Sequence, residues 1–111
     1  MFTKKETVPA IDVKALKAMR DNKMPHFLLD VREKDEYAEC RIDGATLIPL
    51  GELQNRLSEV PKDREVIVHC HHGGRSAMAV RALQQAGYQA KNLSGGIDAW
   101  SCEIDQSVPR Y

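Results

Sequence analysis

Short apolar runs alternate with amphipathic segments along the chain. Runs rich in β-branched and aliphatic residues, typical of buried strands, occupy residues 27–31, 46–48, 65–69 and 90–93. Apolar residues three or four positions apart predict helices at 13–22, 34–39, 51–59, 75–86 and 97–102. Because strands and helices alternate, we predict an α/β fold, a mostly parallel sheet of about five strands with helices on both faces.

Local signals sharpen several of these boundaries. Asp12 is a suitable N-cap for the first helix, which would turn Leu16 and Met19 inward. Gly87 stands where a left-handed C-terminal cap is expected, after the helix that opens at Arg75. We find no repeat, low-complexity segment or linker, and the length suits a single domain that spans 1–111.

Composition and charge narrow the function classes. Lys+Arg and Asp+Glu both number 16, so no net charge would recruit nucleic acid or an anionic membrane. No apolar stretch approaches the roughly 20 residues of a membrane span, and the first residues lack the apolar centre of a secretory signal. The three cysteines do not suggest a disulfide framework, so we expect a cytoplasmic protein.

The residues after the run at 65–69 carry the strongest chemical signal. Cys70 follows that predicted strand at once, and a helix opens at Arg75. A thiol there faces the unpaired N–H groups of the helix N-terminus, which together with Arg75 should lower its pKa and favour the nucleophilic thiolate. Two consecutive glycines let the loop curl into an anion-binding nest. Cys70 is therefore the candidate nucleophile, and the candidate substrate-binding residues are His71, His72, Gly73, Gly74, Arg75 and Ser76.

The spacing of this loop resembles that of a known family. Six residues run from Cys70 to Arg75, both included. The rhodanese (thiosulfate sulfurtransferase) family has a loop of this length, which begins with the cysteine that carries a persulfide sulfur. Related cysteine-dependent phosphatases have one more residue in the loop, which makes room for a tetrahedral phosphate. The residue count therefore favours the rhodanese resemblance over a phosphatase.

Further landmarks of the rhodanese family follow in its usual order. Residues 28–37 look like its first motif, an apolar strand that ends in Asp-x-Arg, while 44–50 and 95–100 match the later ones. One departure occurs at 40–43, where Cys-Arg-Ile-Asp replaces the usual Gly-His-Ile-Pro. The resemblance implies a three-layer rhodanese-like domain, in which Asp30 and Arg32 brace the loop and take no part in the chemistry.

The same resemblance implies a reaction. The Cys70 thiolate would attack the outer sulfur of a small anionic donor such as thiosulfate, or of a persulfide, and hold that sulfur as an enzyme persulfide. A thiol or a sulfur-carrier protein would then remove the sulfur. Arg75 would orient the anionic donor and stabilise the charged intermediate. No cofactor is implied, and neither nucleic acid nor membrane is an expected partner.

Three alternatives stay open at this point. The chain could be a non-enzymatic sulfur-relay module, which passes its persulfide to one dedicated protein. A phosphatase or arsenate reductase would also use a loop from cysteine to arginine, although this loop is one residue short for phosphate. Cys40 or Cys102 could in addition resolve the Cys70 persulfide as a disulfide.

The histidines around Cys70 invite a metal site, which we do not predict. Successive side chains of an extended backbone point in opposite directions, so residues 69–72 would not converge on one ion. The remaining histidine and cysteines offer no ligand pair at helical or Cys-x-x-Cys spacing. His71 and His72 would instead either line the rim of the pocket or point into solvent.

Overall fold

The fold is built on a five-stranded sheet, described for residues 8–111 in a computed structural model. The strands are β1 Ala10–Ile11, β2 His26–Asp30, β3 Thr46–Leu47, β4 Glu65–His69 and β5 Ala90–Leu93. The helices are α1 Val13–Asp21, α2 Lys34–Glu39, α3 Leu50–Leu53, α4 Gly74–Gln85 and α5 Gly96–Glu103, and a 3-10 helix at Gln54–Glu59 follows α3. Among residues 8–111, no helix combines the length and apolar character needed to cross a bilayer.

The order of the strands brings two distant segments together. The sheet runs β1-β5-β4-β2-β3, and every neighbouring pair is parallel. The chain reverses its direction of travel across the sheet between β2 and β4, and the crevice beyond such a reversal is a common ligand site in α/β folds. Asp30 pairs with His69 in register, so the chain leaves both strands side by side at this edge.

Helices cover both faces of the sheet, which confirms the predicted three-layer α/β fold. On one face, α3 and α4 pack on the strands through Leu53, Ala79, Val80, Leu83, Leu29, Val66 and Val68. On the other face, α1 and α5 do the same through Val13, Leu16, Ile97, Trp100, Leu28, Ile67 and Leu93. Residues of β4 alternate between the two layers, as a strand buried on both faces requires.

Local signals place most boundaries within two residues of the prediction. The Asp12 side chain accepts a hydrogen bond from the Ala15 N–H at 2.8 Å and so caps α1. Leu16 is fully buried, whereas Met19 only partly packs against the same layer. Gly87 has a φ of +91°, the left-handed conformation expected just after a helix.

Two expectations differ from the structure. The helix predicted at 51–59 is divided into α3, which ends at Leu53, and the 3-10 helix Gln54–Glu59, which is kinked at Arg56, where φ is −124°. Leu53 and Leu57 are spaced for one face of an α-helix, so the sequence pattern gave no sign of the change to a 3-10 helix after Leu53. The pattern also missed β1, which is only two residues long and is defined by its pairing of Ala10 with Asn92.

Candidate active site

Cys70 owes its position to the alternation of side chains along β4. Val66 and Val68 pack in the layer beneath α4, while Ile67 packs in the opposite layer. Cys70 comes two residues after Val68 and therefore continues the row that faces α4. Its side chain is buried, with only 2% of the residue exposed, so the sulfur lies beneath the loop and not on the open surface.

The loop aims backbone donors at this sulfur. Gly73, at a φ of +125°, places its N–H 3.1 Å from Cys70 Sγ, and the Ser76 N–H lies 3.4 Å away. Ser76 Oγ is 3.3 Å from the same sulfur. Burial by itself raises the pKa of Cys70, but the hydrogen bonds from Ser76 and Gly73 outweigh it and hold the pKa below its usual value. This is the direction expected from the sequence.

Asn92 of β5 controls the proton of the Ser76 hydroxyl. Asn92 Nδ2 donates to the Gly73 carbonyl at 3.1 Å, which fixes the orientation of the amide and leaves Oδ1 as an acceptor. Ser76 Oγ donates to that Oδ1 at 2.5 Å. A hydroxyl has one proton, so Ser76 can donate to Cys70 only if it gives up its hydrogen bond to Asn92. The donors that point at the sulfur while that bond is kept are the backbone N–H groups of Gly73 and Ser76.

Arg75 is matched by a carboxylate from α2. Its Nη1 donates to Glu36 Oε1 at 2.6 Å and its Nη2 to Glu36 Oε2 at 2.9 Å. The hydrogen-bonded Arg75 guanidinium lowers the pKa of Glu36 to about 2, so the pair is ionised at neutral pH. A cation in the first turn of a helix opposes the helix dipole and is stabilised by a compensating anion. Glu36 supplies it.

Asp30 and Arg32 form an ion pair that is completely buried. Arg32 Nη2 lies 2.7 Å from Asp30 Oδ2, and both side chains have no exposed surface. Arg32 also donates to the carbonyls of Cys40 at 2.7 Å and of Glu36 at 3.3 Å, and to the Tyr111 hydroxyl at 3.0 Å. It thus ties β2 to the helix that carries Glu36. The bracing role of Asp30 and Arg32 stays a prediction, which these contacts make concrete.

The two loop histidines stack with Tyr111. The rings of His71 and His72 are 4.0 Å apart, and Tyr111 covers His71 at 4.1 Å. The curled loop turns both side chains the same way, so the prediction that successive side chains point in opposite directions was wrong for this pair. Together with Asp98 they offer three ligand atoms within 4.8 Å of one another. Asp98 already accepts two hydrogen bonds from Arg110, and the absence of a metal stays a prediction.

His69, one residue before the nucleophile, is a buried and neutral imidazole. Its side chain has no exposed surface, and neither ring nitrogen has a hydrogen-bond partner within residues 8–111. Nε2 lies 3.9 Å from Asp30 Oδ2. Burial lowers the pKa of His69 to about 4, more than the nearby Asp30 charge raises it.

The two other cysteines differ in burial. Cys40 is buried in the layer beneath α1 and α5, whereas Cys70 lies in the layer beneath α4. Cys102 is exposed on α5, and all three thiols are free. Cys40 and the helix that carries Cys102 both lie on the face of the sheet opposite to the Cys70 side chain, so neither thiol is next to Cys70, and a resolving thiol stays a prediction.

Three site residues escaped the sequence analysis, namely Glu36, Asn92 and Tyr111. Glu36 forms a capping box with Glu33, and this pattern marks only the start of α2. It gives no sign that Glu36 pairs with Arg75, which is 39 positions away. Asn92 is one of two polar residues in the short run 90–93, which is a weak sign of a polar contact. Nothing in the sequence marks Tyr111.

Fold and site together define an α/β domain with a cysteine at the carboxyl edge of its sheet, in a loop whose backbone N–H groups point at the sulfur. The chain belongs to the Rhodanese-like domain family, which matches residues 12–103. It is 42% identical over 76 residues to a protein named Sulfurtransferase from Allochromatium vinosum, an alignment that covers 68% of this chain and 71% of that protein.

A second relative and a solved structure extend the comparison. The chain is 35% identical over 96 residues to the Putative sulfur carrier protein YrkF of Bacillus subtilis, which covers 86% of this chain but only 52% of that protein. It therefore spans about half the length of YrkF. The crystal structure of a rhodanese-like domain protein from Staphylococcus aureus superposes with a TM-score of 0.82 at 30% identity, over 94% of this chain and 99% of that one. These relatives support a role in sulfur transfer.

Proposed function

We propose that this chain is a sulfurtransferase that takes sulfane sulfur onto Cys70 as a persulfide and passes it to a thiophilic acceptor. The observation that carries the proposal is the convergence of the Gly73 and Ser76 N–H groups on Sγ, at 3.1 and 3.4 Å. Such donors stabilise the thiolate before the reaction and the charged terminal sulfur after it. The sulfur-transfer names of the relatives agree with this chemistry.

The reaction consists of two displacements at sulfur. In the first, the Cys70 thiolate attacks the outer sulfur of the donor, a new S–S bond forms, and the donor leaves as sulfite from thiosulfate or as a thiolate from a persulfide. In the second, an acceptor thiolate attacks the terminal sulfur and Cys70 leaves as a thiolate. Neither step needs a separate general base when both nucleophiles are already ionised, and the loop contains no carboxylate. No cofactor enters either step.

A sulfur-relay module is the second candidate, and the likeness to YrkF favours it. That relative carries the name of a putative sulfur carrier protein. A relay would form the same Cys70 persulfide but exchange it with one protein partner. Slow loading by thiosulfate together with fast loading by a protein persulfide would distinguish the relay from the enzyme. In either role, we place the chain in the reducing cytoplasm, where Cys40, Cys70 and Cys102 would stay free.

The test of the proposal is the intact mass of the reduced protein after brief exposure to thiosulfate or to cysteine persulfide. We expect a gain of one sulfur atom, which cyanide removes and which Cys70→Ser abolishes while the fold stays intact. Cys102→Ser is the matched control and should gain the sulfur as wild type does, although Cys102 is the exposed thiol. The proposal is wrong if Cys70→Ser gains the sulfur fully, or if neither donor loads the wild type. Cys70-dependent turnover of an aryl phosphate would indicate a phosphatase instead.

A further inference from the structure

The Cys70 loop offers little net positive charge to an anionic donor. Arg75 is the one lysine or arginine between Cys70 and Ser76. Its guanidinium is engaged by Glu36 through two hydrogen bonds, at 2.6 and 2.9 Å. A bidentate pair of this kind is neutral as a whole and already satisfies the planar face with which Arg75 would bind an anion.

The surroundings hold Glu36 in this position. The Tyr111 hydroxyl donates to Glu36 Oε2 at 2.9 Å, and the Glu33 N–H donates to Oε1 at 2.9 Å. Burial raises the pKa of Tyr111 to about 12, so its hydroxyl keeps the proton that it donates. An anion that reached Arg75 would have to displace a carboxylate that four donor atoms hold in place.

The other charged groups around the Cys70 loop do not supply the positive charge that Arg75 lacks. Burial, and next the neighbouring His72, lower the pKa of His71, so its imidazole is neutral near pH 7. Arg110 is matched by Asp98, to which it donates two hydrogen bonds. With Cys70 ionised and both arginines paired with carboxylates, the side chains of Cys70, Arg75, Glu36, Arg110 and Asp98 together carry one negative charge. A dianion that approaches a thiolate in these surroundings meets a repulsion that an uncharged donor does not meet.

We propose that Glu36 is a specificity-determining residue, which masks Arg75 and directs the site towards hydropersulfide donors of the form R–S–SH instead of the thiosulfate dianion. This inference rests on the proposed persulfide chemistry of Cys70. The thiolate attacks the terminal sulfur of R–S–SH, the new S–S bond forms as the old one breaks, and R–S⁻ leaves. The product is Cys70–S–SH, so atoms and charge balance with no further reactant. The thiol R belongs to a small molecule or to a protein, and both sources share this chemistry.

The test compares how efficiently two donors load Cys70 in wild type and in Glu36→Gln, measured as kcat/KM or as the rate of mass gain at limiting donor. Glutamine keeps an acceptor oxygen for the Glu33 N–H but removes the charge that masks Arg75. With thiosulfate we expect the efficiency of Glu36→Gln to rise about tenfold, and with cysteine persulfide to stay within about twofold. Glu39→Gln removes a charge from the exposed end of the same helix and is the matched control, with no change in the ratio.

Two further measurements check that the effect comes from the charge of Arg75. The double variant Glu36→Gln/Arg75→Gln should lose the gain with thiosulfate, because the unmasked cation is gone. In wild type, loading by thiosulfate should become faster as KCl is added, since salt screens repulsion, and this holds whether or not the variants fold. A protein persulfide in place of cysteine persulfide tells which source of R is faster.

The outcomes separate this inference from the proposed function. The role of Glu36 would be overturned if thiosulfate loads wild type as efficiently as cysteine persulfide does, if this loading slows with salt, and if Glu36→Gln does not change it. The Cys70 persulfide would still stand in that case. Failure of both donors to load Cys70 would overturn the proposed function itself.

Discussion

A Cβ atom at Gly96 would lie 2.5 Å from the carbonyl oxygen of Cys70. The close approach exists because α5 begins directly against the backbone of the Cys70 loop. The N–H groups of Ile97 and Asp98, which have no partner inside the helix, donate to the carbonyls of Cys70 and His71 at 2.9 and 3.1 Å. The N-terminus of α5 therefore positions the nucleophile, and the glycine is what allows the contact.

We expect Gly96→Ala to lower the free energy of unfolding by about 2–4 kcal/mol, because the added Cβ meets backbone oxygens and the residue has a φ of +60°. Gly51→Ala is the matched control. No atom lies within 4 Å of its Cβ position, and in α3 alanine should stabilise by about 0.5–1 kcal/mol. Urea denaturation of both variants measures the difference. Equal effects of the two substitutions would contradict the packing argument.

Arg32→Ala should lower the free energy of unfolding by about 3–5 kcal/mol, because it leaves the Asp30 carboxylate buried without its partner. Denaturation in urea measures this loss. Asp30→Asn/Arg32→Leu removes both charges and should recover part of the stability. If the double variant is no more stable than Arg32→Ala, the unpaired charge is not the cause of the loss.

Ser76→Ala should weaken the thiolate moderately, because the hydroxyl can donate to Cys70 only after it leaves Asn92. We expect the pKa of Cys70 to rise and its alkylation by iodoacetamide at pH 7 to slow by about twofold to fivefold. The rate is measured against pH in a Cys102→Ser background, with the exposed Ser94→Ala as control. An unchanged profile would mean that the backbone N–H groups alone stabilise the thiolate.

His69 should make the fold sensitive to mild acid. Burial depresses its pKa to about 4 in the folded state, from the ordinary value of 6.5. The unfolded chain therefore takes up a proton first, and the stability that His69 contributes is present above pH 6.5 and lost as the pH falls towards 4. This shift in pKa corresponds to a loss of about 3 kcal/mol in the free energy of unfolding between pH 6.5 and pH 4.

The His69 prediction is checked by the difference between wild type and His69→Leu in chemical denaturation from pH 7 to pH 4. Wild type should lose more stability than the variant across this window, because leucine does not titrate. His72→Gln, which removes an exposed imidazole, should follow wild type. Parallel curves for wild type and His69→Leu would show that the burial of His69 has no linked proton uptake.

Much of the fold could be predicted because its signals are local. The β-branched run of β4 and the apolar residues Val13 and Leu16 of α1 fix which side chains face the layers, since the direction of a side chain follows from its position in a strand or helix. The chemistry of the nucleophile was also local. Cys70, Gly73 and the start of α4 are neighbours in sequence, so their spacing alone predicted the donors around the sulfur.

The charge state of the site was decided by tertiary structure. The sequence marked Arg75 as a residue of the loop but could not tell which of the 16 acidic residues pairs with it. Glu36 is the partner because β2 and β4 are neighbours in the sheet, although β3 comes between them in the chain. The helix α2, which follows β2, therefore starts beside the Cys70 loop, which follows β4. Tyr111 reaches His71 and Glu36 for a similar reason, since it packs beside α2 from 75 positions away. Periodicity and motif spacing report on neighbours in sequence. The order of strands determines which charges meet, and that order arises only when the whole sheet is assembled.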